Sequence, residues 1–280
     1  MTAILLALAS AAAYGLSDFL GGVLSKRDSP WTIALWGQIG ALLAAGAAAL
    51  AIGGAPAPVD LAWAALAGTG SALGTAFLYR GLAAGRMSVV APISAVVSAA
   101  VPVVAGVAGG ERPAPLVWGG IAVGLVAIWL VARVPPAHAA SRTGTAASIR
   151  DGVLAGLGFG TAFAAIGQFR EEAGLWPNAL AMLVAVVVLA AGVLLVRAGI
   201  ALPSRRAGLA LLPGVLGATA LTFFLFATQH GLLTVVSVIS ALYPAATVIL
   251  AALVLRERIH RGQAVGLAAC AVAVALVAAG

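Results

Sequence analysis

Apolar residues fall into ten long runs separated by short polar breaks. The runs cover residues 2–24, 31–52, 61–84, 88–109, 115–133, 152–169, 179–197, 208–230, 233–255 and 264–280. Each has about the 17–25 residues that a helix needs to cross the hydrocarbon core of a bilayer. Breaks such as SKRDSP and GGAPAP carry the Ser, Gly and Pro residues that end helices. The pattern predicts an all-α integral membrane protein with ten transmembrane helices.

The composition excludes soluble and disordered proteins. Hydrophobic residues make up 63% of the chain and charged residues 8%, whereas soluble domains carry about 25% charged residues. The net charge of +7 does not indicate a nucleic-acid partner, because the 15 Lys and Arg residues are scattered in small numbers between apolar runs. The lone cysteine, Cys270, lies in an apolar run, so the sequence predicts neither a disulfide nor a cysteine metal site.

The two halves of the chain repeat each other. A shift of 146 residues aligns 85–131 with 231–277 without a gap, and 17 of the 47 pairs are identical. We therefore predict two five-helix repeats, 1–133 and 151–280, joined by a polar linker at 134–150. An odd number of helices per repeat inverts the second copy in the membrane. Inverted repeats around a central cavity are the architecture of secondary transporters.

The basic residues are distributed unequally between the two sides of the predicted bundle. The loops between helices 1–2, 3–4, 5–6, 7–8 and 9–10, with the adjoining helix ends, contain thirteen Lys and Arg residues. The other side has only Arg112 and Arg170. Because cytoplasmic loops of membrane proteins are rich in Lys and Arg, we expect both termini outside the cytoplasm. The predicted location is the inner (plasma) membrane, as a multi-pass protein.

The organisation and several motifs resemble the drug/metabolite transporter superfamily, in particular its EamA-type members. The motifs are GERP at 110–113 followed by G-G-x-x-x-G at 119–124, and YPAATVILAALVLRERI at 243–259. The resemblance implies a transporter in which helices 1, 3, 4, 6, 8 and 9 line a cavity, supported by helices 5 and 10. The chain departs from the family in two ways. Family members usually keep both termini in the cytoplasm, and the first repeat has Ser98 where the second has Pro244.

Asp18 is the acidic residue best placed inside a predicted span. An ionisable group in hydrocarbon faces a partner or a cavity by default. Arg80 lies at a similar depth near the same end of helix 3, so an Asp18–Arg80 pair is predicted. Protonation or an ammonium substrate would break the pair and open a gate. The alternatives are a structural ion pair, or two side chains that extend to the membrane interface.

Other polar and aromatic residues complete the candidate site. The pseudo-symmetric position, at the other end of helices 6 and 8, holds Gln168, Gln229 and His230, which we expect to form a second polar cluster. Glu111 and Glu257 are predicted to lie on opposite faces of the membrane and to fix the tight turns between helices 4–5 and 9–10. Several aromatic residues are expected to line the cavity: Tyr14, Tyr79, Phe159, Phe163, Phe223, Phe224 and Tyr243.

The leading hypothesis is a secondary transporter for small polar or amphipathic metabolites, with amino acids or amines favoured. Export coupled to protons is the first expectation, without any bound cofactor or metal, by a monomer or homodimer in the lipid bilayer. The alternative is a multidrug exporter of lipophilic cations, which would bind Asp18 and the aromatic rings. A membrane-embedded enzyme is a distant alternative. Its only candidate pair, Ser17 and His230, is predicted at opposite ends of the membrane.

Overall fold

The computed structural model describes residues 1–25, 30–83, 87–133, 145–195 and 205–280. All regular structure in these ranges is helical, and ten spans are long and apolar enough to cross a membrane. The helices are α1 Thr2–Ser25, α2 Pro30–Ile52, α3 Pro58–Ala83, α4 Met87–Ala108, α5 Pro115–Ala132, α6 Thr145–Ile166, α7 Trp176–Leu195, α8 Arg205–His230, α9 Leu233–Ser240, α10 Tyr243–Val254 and α11 Arg261–Ala279. The predicted all-α membrane protein with ten spans is confirmed.

The ninth span is broken, although its apolar run predicted one continuous helix. It consists of α9 and α10, separated by a turn at Ala241 and Leu242. Pro244 follows the turn, and a proline cannot donate the backbone hydrogen bond that would continue the helix past it. The turn tightens instead, with the N–H of Leu242 bonded to the carbonyl of Ile239 at 3.1 Å.

The sixth span begins and ends earlier than its apolar run indicates. The linker was predicted to extend to residue 150, but α6 already begins at Thr145; residues 134–144 lie outside the described ranges. At its other end, α6 stops at Ile166 and the chain turns at Gly167 and Gln168. Because hydropathy identifies only the apolar part of a helix, the polar residues Arg150 and Asp151 fell outside the predicted apolar run although they belong to α6.

We call the membrane face that carries both chain termini the terminal face and the other one the opposite face. The terminal face carries both termini and the turns 53–57, 109–114, 167–175 and 231–232, and the opposite face carries the turn 255–260. Gly280, at the C-terminus, lies against Leu116 and Val117 near the start of α5. Gly231 lies against Ala3 near the start of α1.

The packing partners of the first five spans correspond to those of the last five. α1 packs against α8 and α3 against α6; α2 packs against α8 and α7 against α3. α4 packs against α6, and the broken ninth span packs against α1. Each pair becomes the other when every span number changes by five, while α5 packs against α11, the tenth span. The centre of the bundle is therefore formed by helices from both halves.

Candidate functional site

Four aromatic rings meet in the centre of the bundle and bring both halves together. Tyr14 on α1 contacts Phe163 on α6, with ring centroids 5.9 Å apart, and Tyr243 at the start of α10, at 6.0 Å. Phe163 also contacts Phe224 on α8 at 4.9 Å. These separations are typical of favourable aromatic pairs. All four are among the residues expected to line the cavity, and that role stays a prediction.

Asp18 lies beside this aromatic cluster on the side of the opposite face. It follows Tyr14 by one helical turn, so the two side chains share one face of α1. Asp18 interacts electrostatically with both Tyr14 and Tyr243. Its side chain is nevertheless exposed, and no Lys or Arg of the described ranges forms an ion pair with it. An exposed carboxylate on the inner face of a central helix indicates a water-accessible cavity.

Burial along the central helices decreases from the terminal face toward the opposite face. In α1, the residues of the terminal half that face the bundle are buried, including Ala7 and Ala11, whereas Asp18 and Gly22 are exposed. In the ninth span, all eight residues of α9 are buried, but in α10 only Pro244 is buried. The site around Asp18 is therefore reached from the opposite face.

The break in the ninth span lies next to the Asp18 site. Tyr243 is the first residue of α10, and its carbonyl oxygen lies 2.8 Å from where a Cβ atom on Gly15 would be. The hydroxyl of Thr247 donates to the carbonyl of Gly15 at 3.2 Å. Ends of discontinuous membrane helices commonly form binding sites, because their backbone groups are free to bind ligands.

The predicted Asp18–Arg80 pair is not formed. Arg80 binds Asp151 instead, through two nitrogen–oxygen contacts of 2.5 and 3.2 Å, and its guanidinium also lies 4.6 Å from the ring centre of Phe77. The prediction assumed that helices 1 and 3 are neighbours, but α3 packs mainly against α6 and α7. Asp151 was missed because it falls at the polar start of α6.

A second ion pair joins the halves at the terminal face and was not predicted. Asp60, fully buried in the first turn of α3, accepts hydrogen bonds from the guanidinium of Arg170, the shortest being 2.8 Å. It also accepts from the backbone N–H of Ala57 at 2.8 Å. The neighbouring carboxylate raises the pKa of the Arg170 guanidinium, so this pair stays ionised. Ion pairs therefore join α3 to α6 at one face and to the α6–α7 turn at the other.

Removing the Arg170 side chain is expected to destabilise the protein. In Arg170→Ala, Asp60 would remain buried with only backbone partners, and we expect the free energy of unfolding to fall by about 2–3 kcal/mol. Thermal unfolding of the purified protein in detergent measures this. Arg112→Ala is the matched control, because the contacts of its exposed guanidinium within the described residues are backbone carbonyls of the same face. Equal losses in both variants would contradict the assigned role of the pair.

The predicted cluster at the terminal face is only partly formed. Gln168 lines a pocket there together with Thr228 and Glu111. Gln229 and His230 are not part of its lining. The ring nitrogen Nδ1 of His230 instead pairs with the carbonyl of Phe226 in its own helix at 2.8 Å. The carboxylate in this cluster, Glu111, comes from the α4–α5 turn.

Glu111 was predicted to fix its own turn, but its carboxylate binds a different helix. Its carboxylate accepts hydrogen bonds from the backbone N–H groups of Leu233 at 2.5 Å and Thr234 at 2.9 Å. Glu111 thus caps α9, more than a hundred residues further along the chain, and holds that half-helix at the terminal face. Glu257 is exposed at the α10–α11 turn, whose backbone is closed by the Glu257 N–H bonded to Ala251 at 3.3 Å.

Of the remaining predicted residues, Phe159 lies in the contact between α6 and α3, where its ring faces Gly74. The side chain of Tyr79 lies outside the described residues. The hydroxyl of Ser17 donates to the carbonyl of Pro213 at 2.7 Å, in the first half of α8. His230 is the last residue of that helix, so the two side chains are at different ends of α8. Within the described ranges, no three His, Cys, Asp or Glu residues come together in a way that could hold a metal ion.

Comparison with known proteins identifies both a family and a shared fold. The model of the EamA-like transporter family matches residues 1–133 and 152–279. A solved structure described only as "Crystal structure of protein" superposes with a TM-score of 0.80 at 13% sequence identity, covering 98% of this chain and 95% of that chain. At this identity the likeness concerns the fold alone. A search of curated proteins found no match.

Proposed function

The chain belongs to the EamA-like transporter family, and on this premise we propose that it is a secondary transporter for small molecules that carry an ammonium group, such as amino acids or amines. Such a family member binds small-molecule substrates within a lipid bilayer. The observation that carries the choice of substrate is the exposed carboxylate of Asp18 beside Tyr14 and Tyr243 at the centre of the bundle.

The chemistry of this site favours an ammonium group. An exposed carboxylate without an ion-pair partner among the described residues offers an acceptor to the N–H groups of a cation. The faces of neighbouring aromatic rings also attract cations. The broken ninth span adds backbone groups that can bind the polar remainder of a metabolite. A carboxylate, two tyrosines and a helix end together match the ammonium and the polar part of an amine or amino acid.

Export is the direction that we propose. The exposed side of the Asp18 site faces the opposite face, and that face carries most of the Lys and Arg residues, which supports a cytoplasmic location for it. A substrate would load from the cytoplasm, and rearrangement of the halves would expose Asp18 to the other side. Since one carboxylate can hold either the ammonium or a proton, competition at Asp18 would couple export to proton entry.

A multidrug exporter of lipophilic cations is the second candidate. The contact chain from Tyr14 through Phe163 to Phe224 favours it, because a wall of aromatic rings binds flat apolar cations by stacking and by cation–π attraction. The two functions differ in the size and polarity of the cation, which a transport assay separates.

The experiment is uptake of radiolabelled compounds by proteoliposomes that contain the purified protein, compared with protein-free liposomes. The test set contains amino acids, short amines and lipophilic aromatic cations. Uptake of amino acids or amines would support the proposal, and uptake of lipophilic cations alone would favour the second candidate. If none of the cationic compounds enters faster than in protein-free liposomes and an anionic or neutral metabolite does, the proposal is wrong.

The break in the ninth span is expected to matter for transport more than for stability. Pro244→Ser places in the second half the residue that the first half has at Ser98, where α4 continues without a break. A backbone N–H at residue 244 can bond the carbonyl of Ser240, so α9 and α10 would join. We expect unchanged or higher thermal stability and about tenfold slower uptake. Uptake equal to the unmodified protein would contradict a role for the break.

A further inference from the structure

A second pocket, of about 150 Å³, lies at the terminal face, on the far side of the aromatic cluster from Asp18. It is formed by the α4–α5 turn, the ends of α6 and α8, and the start of α9. Its polar side chains are those of Glu111, Gln168 and Thr228, and the rest of the wall consists of small and apolar residues that include Gly106 and Leu233. The volume equals that of about five molecules of liquid water, which is enough for a small organic ion.

The carboxylate of Glu111 is the charged group of this pocket. It accepts two backbone N–H bonds from α9, while a carboxylate has about four acceptor positions, so it retains capacity for a ligand. The neighbouring Arg112 does not neutralise it, because its guanidinium binds the carbonyls of Val107 and Glu111. The start of α9 compensates about half of the negative charge. The pocket therefore suits a cation that donates hydrogen bonds.

Two hydroxyls lie along α9 between this pocket and the helix break. Thr234 directly follows Leu233 in the pocket wall and is fully buried, and Ser237 is one turn further and 3% exposed. Neither hydroxyl has a hydrogen-bond partner among the residues that the structure describes. Residues three apart share a helix face, so the two hydroxyls form a polar line that leads toward Tyr243. Buried polar groups without partners are rare, and these two would gain partners if water or a ligand entered between the pocket and the break.

We propose that this pocket is an outer binding site for a small organic ammonium ion, with Glu111 as its acceptor. Thr234 and Ser237 line the passage to the Asp18 site, which is closed in this structure. The role of the passage rests on the proposed transport function, but binding in the pocket does not require transport. The two ideas can therefore fail separately.

Cysteine labelling tests the site. In a Cys270→Ala background, Gln168→Cys places a thiol in the pocket, and its rates of reaction with a cationic and an anionic methanethiosulfonate are compared. The cationic reagent should react faster, and Glu111→Gln should lower the ratio of the two rates by about fivefold. The matched control is Glu171→Gln, because Glu171 is an exposed carboxylate near residue 168 that is not part of the pocket. Equal effects of both substitutions would overturn the proposal.

Protection by a ligand provides a second measurement that needs no Glu111 variant. Ethylammonium chloride should slow cationic labelling of Gln168→Cys more than sodium chloride does at the same ionic strength. Equal slowing by the two salts means screening only and would overturn the outer site.

For the passage, Ser237→Cys should react faster from the terminal face when a transported amine is present than when it is absent. Ala127→Cys, at a fully buried position of α5, should stay unreactive in both conditions.

Discussion

Asp18→Asn is expected to lower the rate of amine or amino-acid uptake by about 10- to 100-fold. The substitution keeps the size of the side chain but removes the charge, and a hydrogen bond to a charged group is worth about 1.5–3 kcal/mol, with about tenfold for each 1.4 kcal/mol. Asp18 has no ion-pair partner among the described residues, so its charge is not needed to satisfy a neighbour. We therefore expect the thermal stability to change little.

The same variant also tests proton coupling. In the unmodified protein, a proton gradient directed into the vesicle should drive the substrate out of the vesicle. The amide side chain of the Asp18→Asn variant does not titrate. Uptake by this variant should not respond to a pH difference across the membrane. Glu171→Gln, which removes an exposed carboxylate of the terminal face, is the control and should transport normally. A variant at Asp18 that transports and responds to pH as before would exclude this residue from binding and coupling.

Gly158→Ala is expected to have a large effect on folding. An added Cβ atom at this position would lie 2.6 Å from the backbone nitrogen of Gly74 and 2.7 Å from the carbonyl oxygen of Gly70. Both obstacles belong to the α3 backbone, so the two helices would have to move apart. Small residues allow this close approach of membrane helices. Overpacking typically destabilises by about 1–3 kcal/mol, and we expect the upper end of this range.

Gly119→Ala is the matched control for the helix contact. It also replaces a glycine inside a membrane helix, but no atom of the described residues outside its own helix backbone lies within 4 Å of the added Cβ. Because alanine favours helix more than glycine does, this variant should be as stable as the unmodified protein or slightly more so. Thermal unfolding in detergent compares the two. A Gly158→Ala protein that unfolds at the control temperature would mean that the close contact of α3 with α6 is not needed.

The sequence was sufficient for the number of spans, and it singled out Asp18 as the leading candidate for a binding role, which stays a prediction. Spans follow from long apolar runs, and a carboxylate inside such a run is unusual enough to attract attention. The break at Ala241 could not be read in the same way. Pro92 and Pro102 lie within α4 without interrupting it, so a proline in an apolar run does not by itself distinguish a bent helix from two separate ones.

The ion pairs could not be predicted, because each depends on which helices are neighbours. Arg80 was assigned to Asp18 from matched depth, but depth fixes only one coordinate of a side chain in a bundle. Its observed partner, Asp151, lies on α6. Glu111 binds the start of α9, which is 122 residues away in the chain. Hydrophobic patterning gives no information on such contacts between helices.

Counterflow in proteoliposomes tests the central claim, alternating access to one ammonium site, most directly. Vesicles are preloaded with an unlabelled amine or amino acid that the protein transports, and the labelled compound is added outside at low concentration. We predict a transient accumulation of label above its equilibrium level, because one site that faces each side in turn exchanges bound substrates. Entry that rises to equilibrium without an overshoot would contradict the account and indicate a channel.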